Sequence, residues 1–117
     1  MLKVHAKKLD AVEVICLEGQ IVTGDTGILS SAVQLASDCS DIILDLSNVS
    51  IVDAHGLGVL LQLREQALAK ESHFELINVS EPLYRIFEIT RLNTVFEINP
   101  SLEFFSEFEQ TPELVAA

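Results

Sequence analysis

The sequence lacks the residues on which several common classes of protein depend. It contains two cysteines, no tryptophan and seven Lys and Arg residues against 18 Asp and Glu residues, so its formal net charge at pH 7 is −11. Two cysteines are too few for a disulfide framework. The basic residues are too scattered along the sequence to bind the phosphate backbone of a nucleic acid. No apolar run approaches the roughly 20 residues that span a bilayer. We therefore expect a cytoplasmic protein that binds neither nucleic acid nor membranes.

The composition and the hydrophobic periodicity together predict one mixed domain. The 117 residues are 49% apolar and 21% charged, which is typical of a globular domain. The pattern predicts strands at 3–8, 12–18, 42–46, 74–78 and 95–98, and helices at about 28–39, 57–70, 82–89 and 102–109, the last of them acidic. Residues 47–50 predict a turn. This alternation predicts a single α/β (α+β) domain over residues 1–117, with a small mixed sheet and about four helices.

The loop before the central helix carries the residues that invite a chemical interpretation. His55 lies two residues after Asp53, but no motif places a Ser or Cys nucleophile beside them, so a helix cap and a surface histidine are the favoured roles. Gly56 and Gly58 indicate either close packing or a bare helix N-terminus that suits an anion or a docked partner.

No cofactor or metal site emerges from the spacing of the candidate ligands. The three histidines, His5, His55 and His73, have no metal-ligand spacing. Asp41 and Asp45 flank the strongest strand and are not expected to converge on one face. The sequence therefore predicts no enzyme, no cofactor and no metal.

Two stretches carry a resemblance to a known family. IILDLSNVSIVDAHGLGVLLQL and FELINVSEPLYRIFEITRLNTVFEI, within residues 42–98, resemble the STAS domains of bacterial anti-sigma factor antagonists. The N-terminal part agrees in the order of its elements. The resemblance implies helices packed mainly on one face of the sheet and a serine-kinase anti-sigma factor as partner. It also implies partner-switching regulation of transcription, in which phosphorylation of a serine at the start of the central helix ends the association.

This sequence departs from the family pattern at the position that is phosphorylated. The family serine aligns with Ala54, which has no hydroxyl, so Ser50 and Thr23 are the alternative phosphorylation sites. The resemblance and the pattern predict partner binding through Asp53, Ala54, His55, Gly56, Leu57, Gly58 and Leu61. We expect Leu57→Asp or Gly58→Arg to abolish binding while leaving thermal stability nearly intact.

Two other functions remain open from the sequence. The alanine at position 54 also suits a non-phosphorylatable STAS subunit of a larger assembly, such as a stress-sensing complex or a lipid transporter. A bare helix N-terminus would suit a small-molecule or nucleotide-binding module, although the acidic net charge opposes it. The apolar residues of the central helix are predicted to span a wide arc, which includes Leu57, Leu61 and Leu68. A neighbouring helix is favoured to cover the second part of this arc, and a partner or a second copy of the chain, in a homodimer, is the alternative.

Overall fold

A computed structural model describes residues 2–24, 26–35 and 39–99 of the chain. They form a mixed five-stranded sheet, three α-helices and a short 3-10 helix. In chain order the elements are β1 (Lys3–Leu9), β2 (Val12–Ile21), α1 (Gly27–Leu35), β3 (Asp41–Val52), α2 (Ala54–Ala69), β4 (His73–Ile77), α3 (Glu81–Ile89), η1 (Leu92–Thr94) and β5 (Glu97–Asn99). The predicted mixed α/β class is confirmed. The count of about four helices is not matched, and the predicted helix at 102–109 lies outside the described residues.

The strands follow the order of the chain across the sheet. The order is β1-β2-β3-β4-β5, with β1 antiparallel to β2 and every later pair parallel. β3 is the central strand, and its apolar first half is buried, as expected for a strand in the middle of a parallel region. Because parallel strands end at the same edge, the ends of β2 and β3 meet where α1 and α2 begin.

The predicted turn at residues 47–50 is wrong, because β3 continues through it to Val52. Its second half stays extended by pairing with the end of β2, from Asn48 opposite Glu18 to Val52 opposite Ile21. Two register shifts, between Cys16 and Glu18 and between Gly19 and Gln20, accommodate the extra length. The consequence is that β3 carries the chain as one extended segment to the start of α2.

The main core lies between the helices and one face of the sheet. Alternate residues of the strands point into it, as in Ile42, Leu44 and Leu46 of β3, which are at most 1% exposed. Helix α3 contributes Phe87, whose ring stands edge-on to Phe96 at 5.6 Å between centroids. Every α-helix contributes residues to this core. A second, smaller cluster on the opposite face is made of the strand residues Val12, Val14, Cys16, Ile43 and Ile77.

Part of the apolar surface of α2 is buried in the core, and part of it is exposed to solvent. Leu57, Leu60 and Leu63 are buried, whereas Leu68 is 45% exposed and Leu61 is only partly buried against the core. Helix α1 contacts α2, and both helices contribute residues to the main core. No helix among the described residues combines the length and the apolar character that crossing a bilayer requires.

Gly56 sets how closely α2 approaches the end of β2. A Cβ atom at this position would overlap the backbone carbonyl oxygen of Ile21, whereas a Cβ at Gly58 would meet nothing within 4 Å. The close approach therefore requires glycine at position 56 and does not require it at position 58.

We expect Gly56→Ala and Gly58→Ala to change stability in opposite directions. Gly56→Ala should lower the free energy of unfolding by about 1–3 kcal/mol, because α2 must move away from a backbone atom that cannot yield. Gly58→Ala should raise it by up to about 1 kcal/mol, because alanine favours the helix. Urea unfolding followed by circular dichroism measures both, and equal stability of the two variants would contradict the close contact.

Candidate functional site

The carboxylate of Asp53 joins three segments at the edge of the sheet where β3 ends. Its Oδ1 accepts a hydrogen bond from the backbone N–H of Gly56 at 2.7 Å, which makes Asp53 the N-cap of α2. Its Oδ2 accepts two further bonds from Thr23, from the backbone N–H at 3.1 Å and from Oγ1 at 3.2 Å. The backbone N–H of Asp53 donates to the carbonyl oxygen of Ile21. One side chain thus fixes the start of α2 against the loop that follows β2.

These hydrogen bonds favour the ionised carboxylate. The backbone N–H of Gly56, followed by that of Thr23, holds the pKa of Asp53 below its usual 3.8. An acid at a helix N-terminus also interacts favourably with the helix dipole. The predicted role of Asp53 as a cap is confirmed, and His55 is an exposed residue as expected.

The exposed residues around this cap form a continuous surface at the start of α2. We call it the α2 corner and define it by Asp53, Ala54, His55, Gly58 and Leu61. Ala54, His55 and Gly58 are exposed, and Leu61 is partly buried one turn further along.

Helix α1 borders the α2 corner. The Nε2 of His55 lies 3.5 Å from the Oγ1 of Thr26, just before α1, and Ile28 in the first turn of α1 is 50% exposed. The α2 corner therefore combines a capped helix end with a neighbouring apolar side chain.

Two residues predicted to bind a partner face inward. Gly56 is buried against β2, and Leu57 is 8% exposed and belongs to the main core. The expectation that Leu57→Asp leaves stability intact is therefore wrong, because an unpaired carboxylate would enter an apolar core. These two residues position the α2 corner rather than provide its surface.

Both alternative phosphorylation sites are exposed hydroxyls in the chain segments next to the α2 corner. Thr23 Oγ1 donates directly to Asp53, as described above. Ser50 Oγ donates to the carbonyl oxygen of Gly19 at 3.3 Å. The contact between Thr23 and Asp53 could not be predicted from the sequence, since the two residues are 30 positions apart.

The two clefts that stand out among the described residues lie away from the α2 corner. One, of about 180 Å³, is lined by α1, α2, Ile42 and Ser72. The other is an open groove of about 430 Å³ along α3, between Glu81 and Ile89. Pockets for drug-sized ligands typically have about 300–1,000 Å³ and enclose the ligand. Neither cleft includes a residue of the α2 corner.

The architecture defines a small mixed α/β domain that presents a carboxylate-capped helix end at the edge of its sheet. The family model described as STAS domain matches residues 3–105. The chain therefore belongs to the STAS domain family, as the resemblance predicted.

Two relatives and one solved structure show what the chain is similar to. It is 38% identical over 55 residues to the anti-sigma-B factor antagonist of Listeria monocytogenes, covering 47% of this chain and 48% of that protein. It is 34% identical over 71 residues to the anti-sigma-B factor antagonist of Bacillus subtilis, covering 61% of this chain and 65% of that protein. The crystal structure of an anti-sigma factor antagonist from Mycobacterium paratuberculosis superposes with a TM-score of 0.78 at 24% identity, over 88% of this chain and 89% of that one. The match thus spans between about half and two thirds of the curated relatives' length, and the solved structure establishes the fold.

We expect the negative charge of Asp53 to stabilise the fold at neutral pH but not at strongly acidic pH. Because the pKa of Asp53 is lowered by folding, its ionised form favours the native state above its unfolded pKa. This contribution disappears as the pH falls through the lower native value. The variant Asp53→Asn retains a good capping residue but does not titrate.

Thermal unfolding of both proteins between pH 7 and pH 2 tests this expectation. Wild type should unfold at a higher Tm than Asp53→Asn at neutral pH, and the difference should shrink as the pH falls below about 4. A Tm difference that stays constant down to pH 2 would show that the carboxylate charge is not involved.

Proposed function

We propose that this chain is a cytoplasmic anti-sigma factor antagonist that binds a serine-kinase-type anti-sigma factor through the α2 corner. In this role it would release a sigma factor and so regulate transcription by partner switching. The observation that carries the proposal is the preserved α2 corner, in which Asp53 still caps the helix although the phosphorylated residue of the family pattern is replaced by Ala54. The named relatives, which are anti-sigma-B factor antagonists, support the same function.

The physical character of the α2 corner supports binding of a protein. Ala54 and Gly58 lack bulky side chains, so a partner can approach the first turn of α2 closely. Ile28 and Leu61 add apolar area beside it. The cap satisfies the N–H of Gly56 within the chain, so docking does not need to supply a hydrogen-bond acceptor for that group.

We expect Gly58→Arg to block binding of the anti-sigma factor, because its long side chain would occupy the surface that the partner must approach. The affinity should fall at least tenfold. Ala69→Arg is the matched control. Ala69 lies on the same face of α2 as Gly58, and replacing it by arginine adds the same charge. It stands 11 residues away, roughly 16 Å along the helix.

Calorimetric titration of the full chain into the anti-sigma factor kinase from the same source measures both affinities. The control should bind within about twofold of wild type, and both variants should keep the wild-type Tm within a few degrees. Equal binding by wild type and Gly58→Arg would place the interface elsewhere. Loss of binding by both variants would indicate an effect of net charge rather than of the α2 corner.

We further propose that phosphorylation, where it occurs, acts on Thr23 rather than at position 54. Its hydroxyl already contacts the cap carboxylate, so a phosphate on Thr23 would place about two negative charges against Asp53. Repulsion would break the hydrogen bonds between Thr23 and Asp53 and loosen the start of α2. Ser50 is the alternative, and its hydroxyl contacts only the Gly19 carbonyl in the hydrogen bonds described.

The mass of the chain after incubation with the kinase and ATP tests this proposal. We expect a gain of one phosphate in wild type and in Ser50→Ala, and no gain in Thr23→Val, which keeps the branched shape of the side chain. A phosphate that disappears in Ser50→Ala and persists in Thr23→Val would assign the modification to Ser50. No gain in any form would make the chain an antagonist that is not switched by phosphorylation.

Exposed Ala54 also favours a second function, in which the chain is a constant subunit of a larger STAS assembly. A subunit that is never released needs no hydroxyl at the helix end. The exposed side chains of Leu68 and Ile89, 45% and 81% exposed, would then contact neighbouring subunits. Sedimentation of the full chain from micromolar to millimolar concentration distinguishes the two functions, because an antagonist that acts through a kinase remains a small species while an assembly subunit associates.

A further inference from the structure

A cluster of one histidine and three carboxylates lies at the end of the sheet opposite the α2 corner. Asp41 of β3 pairs with His73 of β4, and Glu75 of β4 pairs with Glu97 of β5. His73 and Glu75 are two residues apart on one strand and therefore share a face. The sheet register thus brings four side chains from three strands together on the face opposite the helices.

We propose that His73, Glu75 and Glu97 form a binding site for a divalent transition-metal ion of the Zn²⁺ class. One ligand atom from each of these residues lies within 4.8 Å of the others. Bonds of about 2.0–2.1 Å around a tetrahedral ion place its ligand atoms roughly 3.4 Å apart. Small rotamer changes of partly exposed side chains, 44% for His73 and 58% for Glu97, would close that difference.

Asp41 supplies the outer contact that a metal-binding histidine typically has. Its Oδ1 lies 3.1 Å from Nδ1 of His73. A carboxylate that accepts the Nδ1–H fixes the tautomer of the ring and leaves the Nε2 lone pair for a metal. Nε2 pairs with Glu97 Oε2 at 2.8 Å, so a metal ion bound at Nε2 would replace the proton that this nitrogen shares with the carboxylate. The arrangement is a carboxylate–histidine pair whose second nitrogen contacts the carboxylate of Glu97, and a carboxylate oxygen of Glu75 belongs to the same group of ligand atoms.

The charge of the cluster favours a cation over a proton alone. Three carboxylates surround one imidazole, so even the protonated ring leaves a net charge of about −2. A divalent ion would displace the proton on Nε2, which passes to solvent, and would balance the two glutamates.

The ligand types select among divalent ions. One imidazole nitrogen with carboxylate oxygens suits Zn²⁺, whereas Mg²⁺ and Ca²⁺ prefer oxygen ligands throughout. The exposed fractions of His73 and Glu97 leave room for water in the remaining coordination position. Such an ion would tie β5, an edge strand of three residues, to β4. We therefore expect metal binding to stabilise that edge of the sheet.

The three proposed metal ligands could not be predicted from the sequence, because no local spacing connects them. His73, Glu75 and Glu97 span 25 positions and meet only through the parallel register of β4 and β5. The expectation about Asp41 and Asp45 is also wrong. They are four residues apart on one strand and share a face, on which Asp41 contacts His73 and Asp45 contacts Asn78.

Titration of the full chain, freed of metal with EDTA and dialysed, tests the site. We expect one Zn²⁺ per chain, an increase in Tm on adding Zn²⁺ and no increase with millimolar Mg²⁺. Co²⁺ should give the intense visible absorption of a tetrahedral site. His73→Ala should lower the Zn²⁺ affinity at least 100-fold, and Asp41→Asn, which keeps the fold and alters only the outer contact, should lower it about tenfold.

The matched control is His5→Ala, which removes an exposed histidine on β1 and should bind Zn²⁺ like wild type. Zn²⁺ binding that survives in both His73→Ala and Asp41→Asn would assign it to thiols or other groups and would overturn the proposal. Equal stabilisation by Mg²⁺ would overturn the choice of metal class. Asp41 and Asp53 are 12 residues apart along an extended strand, roughly 40 Å. Kinase binding can therefore be measured without metal, and the failure of one proposal leaves the other intact.

Discussion

The hydrogen bonds accepted by Asp53 are the interaction on which the α2 corner depends. Two segments 30 positions apart, the loop at Thr23 and the first turn of α2, are held by the two oxygens of one carboxylate. The close packing of Gly56 against Ile21 adds a steric condition at the same place. Because hydrogen bonding and packing converge here, the start of α2 has a defined position even though the neighbouring surface is exposed.

Elements with strong local signals could be predicted from the sequence. Helix α3 runs from Glu81 to Ile89, close to the predicted 82–89, because the Ser80 cap just before it, its early proline and its buried Leu83 and Phe87 are all local signals. The second half of β3 could not be predicted in this way. Three of its first four residues, Ser47, Asn48 and Ser50, are polar and turn-like, and the extended state comes from pairing with β2 through two register shifts.

The candidate sites also contain some contacts that local sequence predicts and others that it does not. Asp53 could be predicted as a cap because its partner, Gly56, is three residues away. Thr23 could not be assigned to it, since their contact depends on where β2 and β3 end. The cluster around His73 depends entirely on the register of β3, β4 and β5, and no pattern within one strand indicates it. Sequence reasoning therefore recovers contacts within a turn or helix and misses contacts that the sheet creates.

Because residue 54 is an alanine, the residues that shape the α2 corner are not the residues whose modification would regulate it. The cap is made by the side chain of Asp53 and the backbone N–H of Gly56, so residue 54 contributes no side-chain atom to it. Replacing a serine by alanine there removes a hydroxyl while leaving the helix start and its cap unchanged. Under the proposed control by phosphorylation, Thr23 is the described residue whose hydroxyl contacts Asp53. In the proposed function, the binding surface and its switch can therefore change independently, because different residues supply them.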